Sequence, residues 1–471
     1  MTASNLRRHA VAAAVALIAG CSQAPDYQPP VIATAPAYKE AGTWVPAAPA
    51  QAAAGHWWHG FNDPQLEELE SRLDAGNPTL AIAIARHDAA LATLGEARGQ
   101  MLPTVDLAGS VIGNRQSDTR PLRGATQPAR YEADTLGFVI NYDLDLWGRL
   151  RDSVASAKAR ADAAGDDVAV ARLTLETDLA QTYLELRGID QLIDLFETTV
   201  TTYAQADRLT HNRFAGGIAS GIDVGRSGAQ LADAQAQLAD LHNARAVAEH
   251  AIAALVGALP SAFSLAASAQ RPALPAVPLE LPSTLLQRRP DVAAAERRMY
   301  AANRDIGVDR AAFFPQLTLG GTVGYQSTAV GGLLAAPNLM WAVGPNLTQN
   351  LFDGGRRKAR DAFAQAGWEA ATADYRRTAL AAFQQVEDSL SRQHYLGEAL
   401  DAQQRTVQAA AQASRLSTMR YDKGVANFLD VVVAQTAELA ARRRAIQLET
   451  QRAQVQIGLI RALGGDWNNS N

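Results

Sequence analysis

Cysteine is almost missing from this chain: 471 residues contain one, Cys21. A single thiol excludes an intramolecular disulfide framework and leaves no CxxC pair from which a structural zinc site could be built. Signatures of catalysis are missing as well. The eight histidines are scattered, no serine stands in a nucleophile-elbow context and no phosphate-binding glycine loop occurs, so no catalytic residue, cofactor or metal site is assigned. His56 and His59 flank Trp57 and Trp58, a grouping that reads as packing. A basic surplus is also lacking. The formal charge is −5 and becomes −7 when the two arginines Arg7 and Arg8 are removed, which excludes nucleic acid as a partner by charge. Finally, no segment reaches the roughly 18 apolar residues of a membrane-spanning helix.

The N-terminus is organised differently from the rest. Arg7 and Arg8 form a charged region, Ala10 to Ala19 a short apolar one, and Leu17-Ile-Ala-Gly-Cys21 a small-residue cleavage site, the layout of a secretory signal peptide over residues 1–20. A cysteine directly after that site resembles the lipobox of bacterial lipoproteins, which implies lipid attachment at Cys21. Ser22 follows, and the absence of aspartate at that place implies the outer rather than the inner membrane. From there to residue 55 the chain is rich in Pro and Ala without helical or strand period, and reads as an extended tether lying over the body.

What the chain has in quantity is repetition. A helix that runs into a proline and leaves it as a strand occurs as Arg98-Gly-Gln-Met-Leu-Pro103 and again as Arg310-Ala-Ala-Phe-Phe-Pro315, a shift of 212. Proline lacks an N–H and disfavours αR at the residue before it, so each helix stops there. After it apolar and polar residues alternate, as Val105, Leu107, Gly109, Val111 and as Leu317, Leu319, Gly321, Val323, Tyr325. A second strand carries Leu136, Phe138, Ile140, Tyr142, Leu144 and Leu146 on one face, and a fourth contains Pro345, which predicts a bulge or bend there.

No proline occurs from Arg149 to Leu259. Leu175, Leu179, Thr182, Leu186, Ile189, Ile193, Phe196, Val200 and Tyr203 are spaced alternately by four and three, a heptad seam on a helix that would reach about 100 Å. The returning helix has its own seam, interrupted by Arg245, and the second half repeats both at a shift of 207, with Arg452 in place of Arg245. The chain is thus divided into a signal peptide (1–20), an anchored segment (21–55), a first repeat (56–260), a linker (261–282), a second repeat (283–466) and a tail (467–471). Four alternating strands cannot close a sheet, since the smallest membrane barrels need about eight. Three copies would supply twelve.

The parts resemble an outer-membrane factor: the outer-membrane efflux protein family, lipoprotein branch. The resemblance rests on Cys21 with Ala24-Pro-Asp-Tyr27, on Trp57-Trp58 through Asp63-Pro64, on Leu285-Leu-Gln-Arg-Arg-Pro-Asp291 running to Ile306-Gly307 and Phe313-Phe-Pro315, and on Arg420-Tyr-Asp-Lys-Gly424. It implies a mainly α fold with β, internally duplicated, in which long helices and four barrel strands per chain build a homotrimeric 12-stranded β-barrel on an α-helical barrel. It also implies the exit duct of a tripartite efflux pump for drugs or toxic small molecules, working with a periplasmic adaptor and an inner-membrane pump. A duct for protein or peptide secretion and a lipid-anchored helical scaffold without a pore are the alternatives.

The same resemblance implies where function lies. The helix-to-helix turns, Phe214, Gly217 and Ile218 in one copy and Tyr421, Gly424 and Val425 in the other, would form the periplasmic tip that meets the adaptor. Leu429 and Asp430 match positions that close the channel. A second aspartate usual three residues later is here Val433, and its first-copy equivalent is Arg226, so a narrower apolar gate at Leu429 and Val433 is set against a double acidic ring. Asp430 has two readings, lining the pore or capping the helix after the turn.

Overall fold

The computed structural model describes residues 22–40, 56–119, 128–270, 273–274 and 288–465. The signal segment 1–20, Cys21, the tail 467–471 and most of the second half of the linker lie outside the described residues. In chain order the long elements are α1 (Pro64–Gly76), α2 (Pro78–Gly99), β1 (Thr104–Arg115), β2 (Arg130–Asp143), α3 (Arg149–Ala215) and α4 (Gly221–Leu255). These are followed by α5 (Pro290–Ala311), β3 (Gln316–Ser327), β4 (Leu339–Thr348), α6 (Arg356–Asp422) and α7 (Phe428–Ala462). The duplication is written into the lengths. Helices α2 and α5 each have 22 residues, α3 and α6 each 67, and α4 and α7 each 35.

The chain divides into two compact units. The first comprises Met1–Val31, Arg86–Ala164 and Ala294–Arg376 and contains the sheet, an antiparallel meander in the order β1-β2-β3-β4. Its register sorts the two faces. Leu107, Phe138, Val323 and Trp341 share one cross-strand row, and Ala108, Gly137, Gly324 and Met340 the next, on the opposite face. The apolar face is uncovered: Val105, Leu107, Val111, Phe138, Val323, Trp341 and Val343 are all exposed.

Two details of the sheet differ from expectation. The register of β3 with β4 runs unbroken from Gln316↔Thr348 to Tyr325↔Leu339, with Pro345 opposite Leu319, so no bulge forms. Strand β2 ends at Asp143, before Leu144 and Leu146. The acidic residues interleaved there are taken by the start of α3: Leu150 N and Arg151 N donate to the Asp145 carboxylate at 2.9 and 3.0 Å, and Arg149 pairs with Asp143 at 2.7 Å. Capping of orphan helix donors therefore ends the strand.

The second unit comprises Ile32–Ala85, Gly165–Ala293 and Arg377–Asn471. Asp63 caps α1, accepting from Gln65 N and Leu66 N, with Pro64 at the first helical position. The apolar face of α1, Leu66, Leu69 and Leu73, is buried with Phe61 and Leu80 against Leu175, Leu179, Tyr183 and Leu186 of α3 and Ile252 of α4. The heptad seam thus faces a core. Arg245, which interrupts the second seam, sits in an ionic cluster: Asp190 accepts from Arg245 and Arg187, each at 2.7 Å. Through it Arg245 and Arg187 reach the Leu265 and Ala266 carbonyls, fastening the segment that leaves the first repeat. Among the described residues Arg452 has no such cluster, because the positions matching Arg187 and Asp190 are His394 and Gly397.

The repeats also share one tie made with different chemistry. Asn77 donates its amide to the Leu255 carbonyl at 2.7 Å, and Arg289 donates to the equivalent Ala462 carbonyl at 2.8 Å. Each joins the residue before a helix-starting proline to the last turn of a returning helix.

Glu70 of α1 is buried, with neither carboxylate oxygen finding a hydrogen-bond partner among the described residues. Burial, then the neighbouring Glu176 and Asp74, pushes its carboxyl up to about 10. The folded chain therefore holds a proton that the unfolded chain releases above the ordinary glutamate range. The stability from this proton is fully present below that range and is lost as pH rises toward 10. Glu70→Gln should remove this dependence and be more stable than the parent by about 1–3 kcal/mol at pH 8, with a smaller margin at pH 5. Thermal melts at the two pH values check it, and equal margins would remove the assignment.

Candidate functional site

The two turns between long helices are built alike. At the first, Ile218 N donates to the Arg213 carbonyl at 2.8 Å and Gly217 N to Phe214 at 2.9 Å. At the second, Val425 N donates to Arg420 and Gly424 N to Tyr421, both at 2.9 Å. These six-to-one and four-to-one closures need a left-handed residue, and Gly217 and Gly424 have φ of 71° and 75°. Apart from the adjoining residues, no atom among the described residues lies within 4 Å of a Cβ placed on either glycine. Backbone conformation, not crowding, is what requires glycine here.

Apolar side chains cluster around both turns with nothing over them. Ile218 is 81% and Val425 62% exposed, and Phe214, Ile222, Met419 and Leu429 are exposed too. Leu209, Leu416, Met419 and Ile222 were not singled out from the sequence, although they lie within eight residues of the glycines and outside the helix seams. Behind this surface the turns are braced. The Arg213 guanidinium lies over the Tyr421 ring at 4.4 Å and 3.9 Å from Asp422, and the Tyr421 ring meets the buried Phe428 at 5.3 Å.

The two aspartates that follow the turns have different fates. In the first repeat Asp223 is spent on a capping box: Ser220 N and Oγ donate to its carboxylate at 3.2 and 2.8 Å, while Ser220 Oγ accepts from Asp223 N. In the second repeat Asn427 is the cap, accepting from Asp430 N at 3.0 Å. The Asp430 carboxylate is exposed and takes no hydrogen bond among the described residues. The capping reading of Asp430 is therefore corrected. Leu429 and Val433, one helical turn apart, are exposed beside it, and Val433 is 61% accessible.

His56 and His59 stack on each other at 5.2 Å, and His59 faces Glu67 at 3.3 Å. Among the described residues no group of three or more His, Cys, Asp or Glu is arranged to hold a metal, and no helix is long and apolar enough to cross a membrane. Cys21 lies outside the described residues.

A four-stranded antiparallel sheet and two copies of a long helical pair in one chain make up the fold of solved outer-membrane channels such as OprN. The model of the outer membrane efflux protein family matches residues 69–258 and 281–465, and the chain belongs to that family. Among relatives, the solvent efflux pump outer membrane protein SrpC of Pseudomonas putida is 30% identical over 97% of both chains. Outer membrane protein OprJ of Pseudomonas aeruginosa is 30% identical over 96% of this chain and 95% of its own. Among solved structures, the outer-membrane channel OprN superposes with a TM-score of 0.86 at 29% identity, covering 94% of this chain and 99% of the other. The family is one of efflux channels rather than enzymes.

At the turns, replacement of Gly217 or Gly424 by valine should strain the left-handed position by about 1–3 kcal/mol each and displace the exposed apolar cluster. Export should be abolished with the assembled oligomer intact, read as drug susceptibility alongside heat-modifiable oligomer on gels; normal resistance would refute the assignment of the turns.

Proposed function

We propose that this chain is the outer-membrane exit duct of a tripartite efflux pump, working as a homotrimer. The observation that carries the reading is the sheet: four strands, both edges unpaired within the chain, and one face of exposed apolar side chains. In lipid every unpaired backbone group costs several kcal/mol, so such a sheet must be closed by other copies. Three copies give twelve strands. The opposite face, with Thr322, Gly324 and Gly344 among its residues, presents little bulk and suits a wet lumen. The names of relatives, solvent and antibiotic efflux pump outer membrane proteins, favour small toxic molecules as cargo.

The finer assignments follow. Residues 1–20 are a signal peptide, Cys21 carries the lipid anchor, and 56–260 and 283–466 are the two repeats around the linker 261–282. The protein is held in the outer membrane and extends into the periplasm. The exposed apolar turns around Phe214, Gly217, Ile218, Tyr421, Gly424 and Val425 receive the helical hairpins of a periplasmic adaptor, which couples the duct to an inner-membrane pump. Three Asp430 carboxylates near the symmetry axis, flanked by Leu429 and Val433, form the resting constriction, favouring cations and resisting anions. Adaptor contact opens it by biasing the helices toward an outward arrangement.

Single-channel conductance in a planar bilayer tests this. The parent should give small cation-selective steps. Leu429→Ala should enlarge them severalfold, and Asp430→Asn should weaken cation preference. Inserted oligomer that stays silent in all three would favour a scaffold without a lumen.

A further inference from the structure

Two motifs quoted from distant parts of the sequence, Ala24-Pro-Asp-Tyr27 and Ile306-Gly307, meet in the fold. The residue after Cys21 ends on α3: Ser22 Oγ donates to the Asp152 carboxylate, with its oxygens at 2.7 and 2.8 Å, and accepts from Ala24 N at 3.0 Å. Asp152 is buried, and Arg304 of α5 faces it at 3.6 Å. Ala24 then rests against Gly307 of α5. A Cβ placed on Gly307 would lie 2.3 Å from Asp152 Oδ2, 2.8 Å from Ala24 N and 2.9 Å from the Ala24 Cβ, so any side chain there would fill the seat. Tyr27 packs edge-on against Tyr300 of α5 at 4.9 Å, and the Arg304 guanidinium lies over that same ring at 4.7 Å. Helices of both repeats therefore build one slot, and an extended, proline-bearing segment occupies it.

We propose that this slot is a receptor for the chain's own acylated N-terminus, which it seats beside the foot of the sheet. This rests on the reading of Cys21 as the lipid-bearing residue. The ligand is a short extended segment that begins one residue after that cysteine, recognised by a buried carboxylate for its Ser22 hydroxyl, a glycine seat for Ala24 and an aromatic face for Tyr27. Asp152 lies in the first turn of α3, soon after β2, so the docked segment begins, at Ser22, on a residue close in sequence to the end of a strand. The slot takes one wall from α3 and one from α5. It exists only when the two repeats have packed, and until then the anchored segment is a free tether. Seating of the lipid is thus a consequence of folding, and Asp152, Arg304 and Gly307 are its positioning residues.

Limited digestion of the full chain with proteinase K tests this, using a C-terminal tag, detergent extraction from outer-membrane fractions, and intact mass as the readout. Residues 22–31 should survive in the parent. Ala24→Leu, which alters only the docked segment, and Gly307→Leu, which fills its seat, should be cut within that stretch about tenfold faster or more, since cutting follows the undocked population and a hydrogen bond to a buried charge is lost. Ser22→Ala should move in the same direction. Equal rates in the parent and Ala24→Leu, with the rest of the chain equally resistant, would overturn the slot. The mass of the N-terminal peptide reports acylation independently. A protected but unacylated peptide would overturn the lipid reading and with it the role of the slot in seating an anchor, whereas an acylated peptide cut freely in the parent would overturn the slot alone.

Discussion

Backbone hydrogen bonding in a medium without water is the constraint on which the rest of the structure depends. A β-sheet buried in hydrocarbon must leave no edge, and a chain that contributes only four strands has two. The apolar face of the sheet is exposed in the single chain, and in the proposed barrel it is the side turned to lipid. Closing the edges calls for further copies, and in the proposed trimer three identical chains give a closed ring with the symmetry that long helical pairs also need. The helices bury a seam and expose the rest, which is how two-helix elements behave when further neighbours come from other copies.

Duplication supplies the parts cheaply, and divergence then assigns them. Equal helix lengths in the two repeats preserve the frame, yet equivalent positions do different things. Asn77 and Arg289 make the same tie to equivalent carbonyls with an amide and a guanidinium. Asp223 closes a capping box, while Asn427 relieves Asp430 of that duty and leaves its carboxylate in solvent. Arg245 is built into a buried ionic cluster, whereas Arg452 is not. An internal repeat is thus a frame in which equivalent positions can take on different duties without changing the lengths of the elements.

The prolines, the glycines and the alternating rows were legible because each acts locally. Pro103 and Pro315 end helices by lacking an N–H, and Gly217 and Gly424 permit a left-handed turn whatever packs around them. Local reasoning failed where a partner distant in sequence decided the outcome. The end of β2 at Asp143 was missed because the claim of α3 on Asp143 and Asp145 competes with strand propensity. The effect of Pro345 was misjudged because the pairing of β3 with β4 on both sides of it holds the register although one N–H is missing. The exposed Leu209, Leu416 and Ile222 at the turns went unnoticed because an isolated apolar residue on a long helix carries no signal until its neighbours are known.

What the sequence by itself determined is the duplicated order of elements, the long heptad helices, the alternating strands and the positions of the turns, since period and proline placement act over a few residues at a time. The tertiary structure alone decided which charges are spent and which are left over. It put Asp430 in solvent and Asp223 in a cap, buried Glu70 without a hydrogen-bond partner among the described residues, and brought Ser22 to Asp152, 130 residues away, and Ala24 to Gly307 of the second repeat. These outcomes depend on which groups meet across hundreds of residues, and the free energy of a buried or hydrogen-bonded polar group is set by that meeting rather than by its neighbours in sequence.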